Sequence, residues 1–362
     1  MSTAYSYDER CLRHDNGSMI RDARAGAWLD VPHYERRERL ERTHQVLSES
    51  QVLKQLDRLA PRLAAREDLE LAHSLQLIDK IEKACSRAEY ATVGPQARVG
   101  PASWEAALAA AGSVLAVTDA VLDGADNSGF ALVRPPGHHA TVDTPMGFCL
   151  FNNVAIAASH AKQRDEIERV AIVDWDVHHG NGTQAIFYDD PSVLFISLHQ
   201  DDLYPPLSGT LEQRGDRLGE GTTINIPLPA GTGDAGYIHA FERVVEPALK
   251  RFAPDLVFIS AGQDPAASDP LGRMSVTADG FRSLTQRAVA QAIELCDGRL
   301  VVALEGGYSL EHAPFCNLAI VEALAGLEPT VSADPLELDV PRRLRGFERD
   351  AIAAAARAHD TA

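Results

Sequence analysis

The chain has 362 residues, 45% of them hydrophobic and 24% charged, with 52 acidic side chains against 34 basic ones and a formal net charge of −18. This balance argues against a nucleic-acid partner, whose phosphates must be neutralised by Lys and Arg. No uninterrupted apolar run approaches the roughly eighteen residues of a bilayer span, so no membrane association is expected.

Length would allow two domains, but no internal repeat, low-complexity tract or linker divides the sequence. One domain over residues 1–362 is expected, ending in a helical tail at about 342–362. Five cysteines (Cys11, Cys85, Cys149, Cys296 and Cys316) are scattered without a C-x-x-C pair. They read as reduced, mostly buried thiols. The opening MSTAYSYDERCLRHDNG has no basic-then-apolar signal pattern, which points to the cytoplasm.

Residues 1–30 show no periodicity and read as irregular. Glu35–Ser50 and Arg66–Lys83 have the spacing of charged amphipathic helices. Cys85–Pro101, rich in Gly, Pro and polar residues, reads as a loop at the surface or at the rim of a site. Ser103–Leu122 is an Ala-rich helix with Ser103 as N-cap. A βα alternation follows. Strands are expected at Phe130–Val133, Val170–Val173, Val193–Leu198, Thr223–Leu228, Leu256–Ala261 and Leu300–Leu304. Helices are expected at about Asn152–Lys162, shortly after Thr183, and over Asp234–Phe252, Thr277–Leu295 and Leu310–Leu324. Arg342–Ala358 reads as a last surface helix. Such alternation predicts an α/β fold with a largely parallel sheet covered on both faces.

Four polar clusters each follow a predicted strand directly: RPPGHH (134–139), DWDVHHGNG (174–182), GQDP (262–265) and EGGY (305–308). Ligands of open α/β sheets bind outside the carboxyl ends of the strands, so the four point into one crevice. Along an extended chain, alternate side chains share a face, which would align Asp174, Asp176 and His178. Two carboxylates and an imidazole make a seat for a divalent cation, and a catalytic zinc needs three protein ligands and an open position. Asp176 and His178 supply two, and Asp264 is the candidate third. Taken singly, Asp264 could cap a turn before Pro265, His178 could be a core histidine, and Tyr308 a core tyrosine with a satisfied hydroxyl. Their convergence on one sheet edge favours the metal.

His138 and His139, in a Pro-Pro-Gly turn, suit proton transfer beside a cation. Asp174 and Asn181 are candidates to orient the two rings. Gly306 and Gly307 allow a tight turn that aims the Tyr308 phenol at the crevice, where it could donate to a developing oxyanion.

RPPGHHA, MGFCLFNN, VDWDVHHGNGT, SLHQ, SAGQD, DPLGRM and EGGY together resemble the histone deacetylase family, in particular its class II members and bacterial histone-deacetylase-like amidohydrolases. The match extends less sharply to YDERCLRH and LERTHQVL. The resemblance implies a single arginase–deacetylase α/β domain with a mostly parallel eight-stranded sheet and zinc at its strand ends. It makes Asp176, His178 and Asp264 the zinc ligands, His139 the general base and later acid, and His138 its companion, backed by Asp174. Asn181 stands where class I members carry aspartate, and Tyr308 where the family polarises the carbonyl. Gly147, Phe148 and Tyr204 match a narrow tunnel for an acyl-lysine stem. Tyr204 replaces the usual phenylalanine and would make one wall more polar.

A structural potassium is also implied, on Asp174, Ser197 and backbone carbonyls of Asp174, Asp176, His178 and Leu198. So is a homo-oligomer, a dimer or tetramer. The implied reaction is zinc-dependent hydrolysis of acetyl or acyl groups from amines, with acyl-lysine side chains or small acylated amines as substrates. Acetylpolyamine deacetylation is the nearest alternative, although Leu271 occupies the position of an acidic gatekeeper in the vertebrate polyamine enzyme. A carboxylate that clamps substrate backbone is expected within 85–101, with Glu89 the candidate, or is missing altogether. An inactive acyl-lysine-binding protein would show a broken ligand set or lack the tyrosine, and neither is seen. An arginase-like ureohydrolase would need further aspartate-rich motifs for a second metal.

Overall fold

The apolar runs in the middle of the chain become strands sealed from water on both faces. The computed structural model describes residues 2–87, 89–331 and 334–361. Its strands are β1 (Thr3–Tyr7), β2 (Asp57–Arg58), β3 (Ala91–Gly94), β4 (Ala97–Val99), β5 (Ser128–Leu132), β6 (Val170–Asp174), β7 (Val193–Gln200), β8 (Thr223–Leu228), β9 (Leu256–Ala261) and β10 (Leu300–Leu304). Eight form one sheet in the order β2-β1-β5-β10-β9-β6-β7-β8, with parallel neighbours throughout. Every residue of β5, β6, β9 and β10 is buried, which is why each reads as an unbroken apolar run.

Helices Ser103–Leu122 and Asn153–Ala161 pack together over β1, β5, β9 and β10. Ala278–Cys296, Ala313–Leu324 and Glu38–Glu49 form a second packed group. This is the single α/β domain with an eight-stranded parallel sheet that the sequence implies.

Several local expectations change. Thr3–Tyr7 is not irregular: it pairs in register with β5, and the Thr3 and Ser128 hydroxyls meet at 3.2 Å. The helix expected over Arg66–Lys83 breaks into Arg66–Leu69 and Leu75–Cys85. Between them His73 turns inward, its Nδ1 2.9 Å from the Thr141 carbonyl and its Nε2 accepting from the Asn152 N–H at 2.8 Å. Ser74 then caps the second helix by accepting from the Leu77 N–H.

Cys85–Pro101 contains the antiparallel β3–β4 hairpin. Ser103 is the first helical residue rather than the cap, and its hydroxyl accepts from the Gly100 N–H and pairs with His14 Nδ1. Asp234–Phe252 is interrupted by a π-helical turn at Phe241–Val245, just before Pro247, which has no N–H to continue the ladder. The C-terminal helix spans Gly346–Ala358 and is docked, with Ile352, Ala355 and Ala356 buried and His359 Nε2 3.1 Å from the Asn225 carbonyl of β8. By length and hydropathy alone Ser103–Leu122 could cross a bilayer, contrary to the reading of apolar runs. In the fold 67% of that stretch is buried.

Candidate active site

Strands β5, β10, β9 and β6 are spatial neighbours, so the four polar clusters emerge side by side. Beyond Asp174 the chain is not extended, and alternation along a strand is not what aligns the β6 cluster. Instead Asp174 Oδ1 accepts the Asp176 N–H at 3.0 Å and Asp176 Oδ1 accepts the His178 N–H at 2.9 Å. These successive Asx turns coil the segment and bring Asp176 and His178 together. From β9, Asp264 accepts the Val177 N–H on Oδ1 at 2.8 Å. Its buried Oδ2 makes no well-formed hydrogen bond and lies 3.1 Å from His178 Nδ1, which is itself 3.0 Å from Asp176 Oδ1. One ligand atom from each of the three lies within 4.8 Å of the others.

From β10, the Gly306 N–H donates to Asp176 Oδ2 at 2.8 Å, and any Cβ at Gly306 would collide with the Asp176 and Asp264 carboxylates. Burial opposes charge on His178, but hydrogen bonds and charge from Asp176 and Asp264 prevail and raise its pKa to about 10. The pocket therefore demands positive charge. Two carboxylate oxygens and an imidazole nitrogen, one of the oxygens otherwise unpartnered, meet that demand in the way zinc requires.

The His138 and His139 rings lie with centroids 4.0 Å apart, tilted by 41°. His138 Nδ1 lies 2.9 Å from Asp174 Oδ2. Burial disfavours its charge, yet Asp176 and Asp174 outweigh this and lift its pKa well above the ordinary histidine range. His139 behaves oppositely: burial, then the charges of His138 and His178, hold it well below that range. Its Nδ1 lies 2.8 Å from Asn181 Oδ1, which can only accept, so Nδ1 carries the proton and Nε2 is left as the basic atom. Of these two buried imidazoles His139 is thus held neutral and His138 charged. His179, by contrast, is committed to Ser208 and Gln184 and stays out of the cavity.

A cavity of about 320 Å³ leads to this floor, lined by His139, His178, Tyr308, Phe148, Gly147, Tyr204 and Leu271 among others. Tyr308 is edge-on to Phe148 at 5.9 Å, and Tyr204 edge-on to His139 at 5.0 Å. The Tyr204 hydroxyl is sealed from solvent on the side of Gly147 and Cys149. The expected extra polarity of that wall is therefore turned away from solvent. Gly307 sits at φ +113°, a conformation that suits glycine and sets up Tyr308. Burial pushes the Tyr308 phenol well above its usual pKa, so it remains a proton donor.

Of the residues associated with potassium, Ser197 pairs with Asp174 in the β6–β7 register and Leu198 follows it in the buried strand. The Ser197 hydroxyl is 2.9 Å from His199 Nδ1. Glu89 is exposed and does not line the cavity, and no carboxylate from 85–101 does.

Sequence patterns miss the supports of Tyr308. Arg39, buried on the helix Glu38–Glu49, donates from Nε to the Gly307 carbonyl at 2.6 Å and from Nη2 to the Glu305 carbonyl at 2.5 Å. Its guanidinium lies 4.7 Å from the Tyr308 ring centre. Glu35 joins Arg39 and Arg134 at 3.2 and 2.5 Å. Asp269 Oδ2 accepts the Tyr308 and Ser309 N–H groups, and Glu305 accepts those of Gly137 and His138.

A histone deacetylase domain model matches residues 33–324. The chain belongs to the histone deacetylase family. Its sequence is 42% identical over 359 residues to a histone deacetylase-like amidohydrolase of Pseudomonas aeruginosa, covering 97% of this chain and 94% of that protein. It is 42% identical over 338 residues to a probable deacetylase of Archaeoglobus fulgidus, covering 92% and 89%. The crystal structure of the HDA15 HD domain superposes with a TM-score of 0.88 at 35% identity, over 99% of this chain and 96% of that one. Membership of the histone deacetylase family makes the chain a deacetylase or amidohydrolase. The loop between Asn16 and Tyr34, which no periodicity places, supplies part of its mouth.

Proposed function

We propose that this histone deacetylase family member is a zinc-dependent amidohydrolase that removes acetyl or acyl groups from amines, acyl-lysine side chains or small acylated amines being the substrates. One observation carries the reading: Asp176, His178 and Asp264 offer three ligand atoms within 4.8 Å at the base of a tunnel whose floor also holds His139 and Tyr308. A zinc ion held by these residues would polarise an amide carbonyl and lower the pKa of water toward about 7.

The chain's own groups do the rest. Phe148 and Tyr204 flank an extended aliphatic stem and exclude water from it. His139 Nε2 accepts the proton of the attacking water, with its ring aligned by Asn181, and returns that proton to the leaving amine. The Tyr308 hydroxyl donates to the carbonyl oxygen as charge develops there. His138, charged and paired with Asp174, stabilises the negative charge gathered beneath. A potassium ion near Asp174 and Ser197 would be purely structural, bracing the β6–β7 edge.

Acetylpolyamines fit less well, because Leu271 lies on the tunnel wall and, among the described residues, no carboxylate lines the mouth. The test is hydrolysis of an acetyl-lysine peptide by zinc-loaded and chelator-treated protein. Turnover that appears with zinc and disappears in His139→Ala supports the reading. Zinc-loaded protein that hydrolyses no acylated amine overturns it.

A further inference from the structure

The mouth of the tunnel reverses the charge of the rest of the molecule. Against a net charge of −18, the described residues lining the cavity include Arg21 and Arg98 but no Asp or Glu. The exposed Asp201 and Asp202 immediately precede Leu203 but do not line the cavity. Among the described residues neither arginine has a carboxylate within ion-pair distance, and Arg98 is engaged instead by the Tyr90 ring and the Asn16 carbonyl.

Arg98 is also held in place. Strand β4 presents it, its guanidinium lies 5.0 Å from the Tyr90 ring centre, and Nη1 is 3.4 Å from the Asn16 carbonyl. Tyr90 is anchored in turn by its hydroxyl on Asp15. Two contacts to an aromatic face and a backbone oxygen leave most of its N–H donors unspent. Arg21, on the Asn16–Tyr34 loop whose start Arg98 contacts, is exposed. A guanidinium without a carboxylate, fixed at the rim of a substrate tunnel, is a ready receptor for a planar anion.

We propose that Arg21 and Arg98 select acylated amines whose free end bears a carboxylate, such as Nε-acyl-lysine with an unblocked α-carboxyl group. The inference rests on the amidohydrolase reading of the same cavity. With the acylated nitrogen at the floor beside His139 and Tyr308, the far end of a lysine stem lies toward the mouth that Arg21 and Arg98 help to line. The same pair repels the cationic tail of an acetylated polyamine.

The experiment compares kcat/KM of the zinc-loaded protein for Nε-acetyl-lysine with a free α-carboxylate, its α-carboxamide, and N1-acetylspermidine. Two partly exposed ion pairs support a preference for carboxylate over carboxamide of roughly five- to tenfold at low salt, fading as salt is added. The ratio falls toward one in Arg21→Gln/Arg98→Gln, is kept in Arg21→Lys/Arg98→Lys, and turns toward acetylspermidine in Arg21→Glu. Arg21 is exposed, so its single variants fold even where changes at Arg98 disturb the hairpin. Equal kcat/KM for carboxylate and carboxamide in the unaltered protein, or a preference that survives the double Gln variant, overturns the proposal. Either result leaves the amidohydrolase reading standing, whereas no turnover of any of the three substrates strikes that reading instead.

Discussion

Arg39→Met tests whether the turn carrying Tyr308 is held from the far side. The substitution preserves a long side chain but removes two hydrogen bonds to the Gly307 and Glu305 carbonyls, at 2.6 and 2.5 Å, and the contact to Glu35 at 3.2 Å. Breaking a buried ion pair typically costs about 3–5 kcal/mol, because it leaves an uncompensated charge. Here Glu35 keeps Arg134 at 2.5 Å, so the lower end, about 3 kcal/mol, is expected. Chemical denaturation should show the loss as a lower midpoint with an unchanged slope.

The second consequence is catalytic. Without Arg39 beneath its ring, Tyr308 is less well placed, and kcat should fall roughly tenfold or more while KM changes little, as for a group acting on the transition state. A double-mutant cycle with Tyr308→Phe separates this from general damage. If Arg39 works through Tyr308, Arg39→Met costs much less in the Tyr308→Phe background than alone. Full additivity, or a stable Arg39→Met protein with unaltered kcat, would refute the reasoning.

Other outcomes follow from single contacts. Tyr308→Phe should retain zinc, measured by metal analysis, yet lose roughly a hundred- to a thousand-fold in kcat, the usual cost of one oxyanion donor. Leu271→Glu should raise kcat/KM for N1-acetylspermidine relative to an acetyl-lysine peptide, and an unchanged ratio would remove Leu271 from the rim's selectivity. His73, buried and bonded to Thr141 and Asn152, has its pKa lowered to about 4 by desolvation, so the unfolded chain binds that proton more readily. Its contribution is complete above about pH 6.5 and is lost as pH falls toward 4, up to about 3 kcal/mol. His73→Gln should therefore flatten the acid side of the unfolding free-energy profile between those limits, and a parallel profile would count against it.

The central strands were legible because a strand buried on both faces must be apolar at every position, as Leu256–Ala261 and Leu300–Leu304 are. The polar clusters after them were legible because the sheet has only one end at which to gather them. Thr3–Tyr7 is not apolar at every position, and its Thr3 hydroxyl is met by Ser128, more than a hundred residues away, so no local pattern marks it as a strand. The break at His73 has the same character: the amphipathic period runs through it, and only the docking of Thr141 and Asn152 on its ring turns the chain. At the site, Asp176, His178, Asp264 and the histidine pair announce themselves by their place beside strands. Arg39, Glu35 and Arg98 do not, since they come from an ordinary charged helix, its leading residues and a short hairpin. Only the tertiary fold brings Arg98 to the cavity and Arg39 and Glu35 to the back of Tyr308.

The most direct measurement is the zinc affinity of the protein and of Asp264→Ala, read by competition with a chromophoric chelator. The account predicts one tightly held zinc per chain, and for the variant a loss greater than the roughly 10–100-fold that accompanies removal of a residue behind a ligand. Zinc held equally tightly without the Asp264 carboxylate would contradict it.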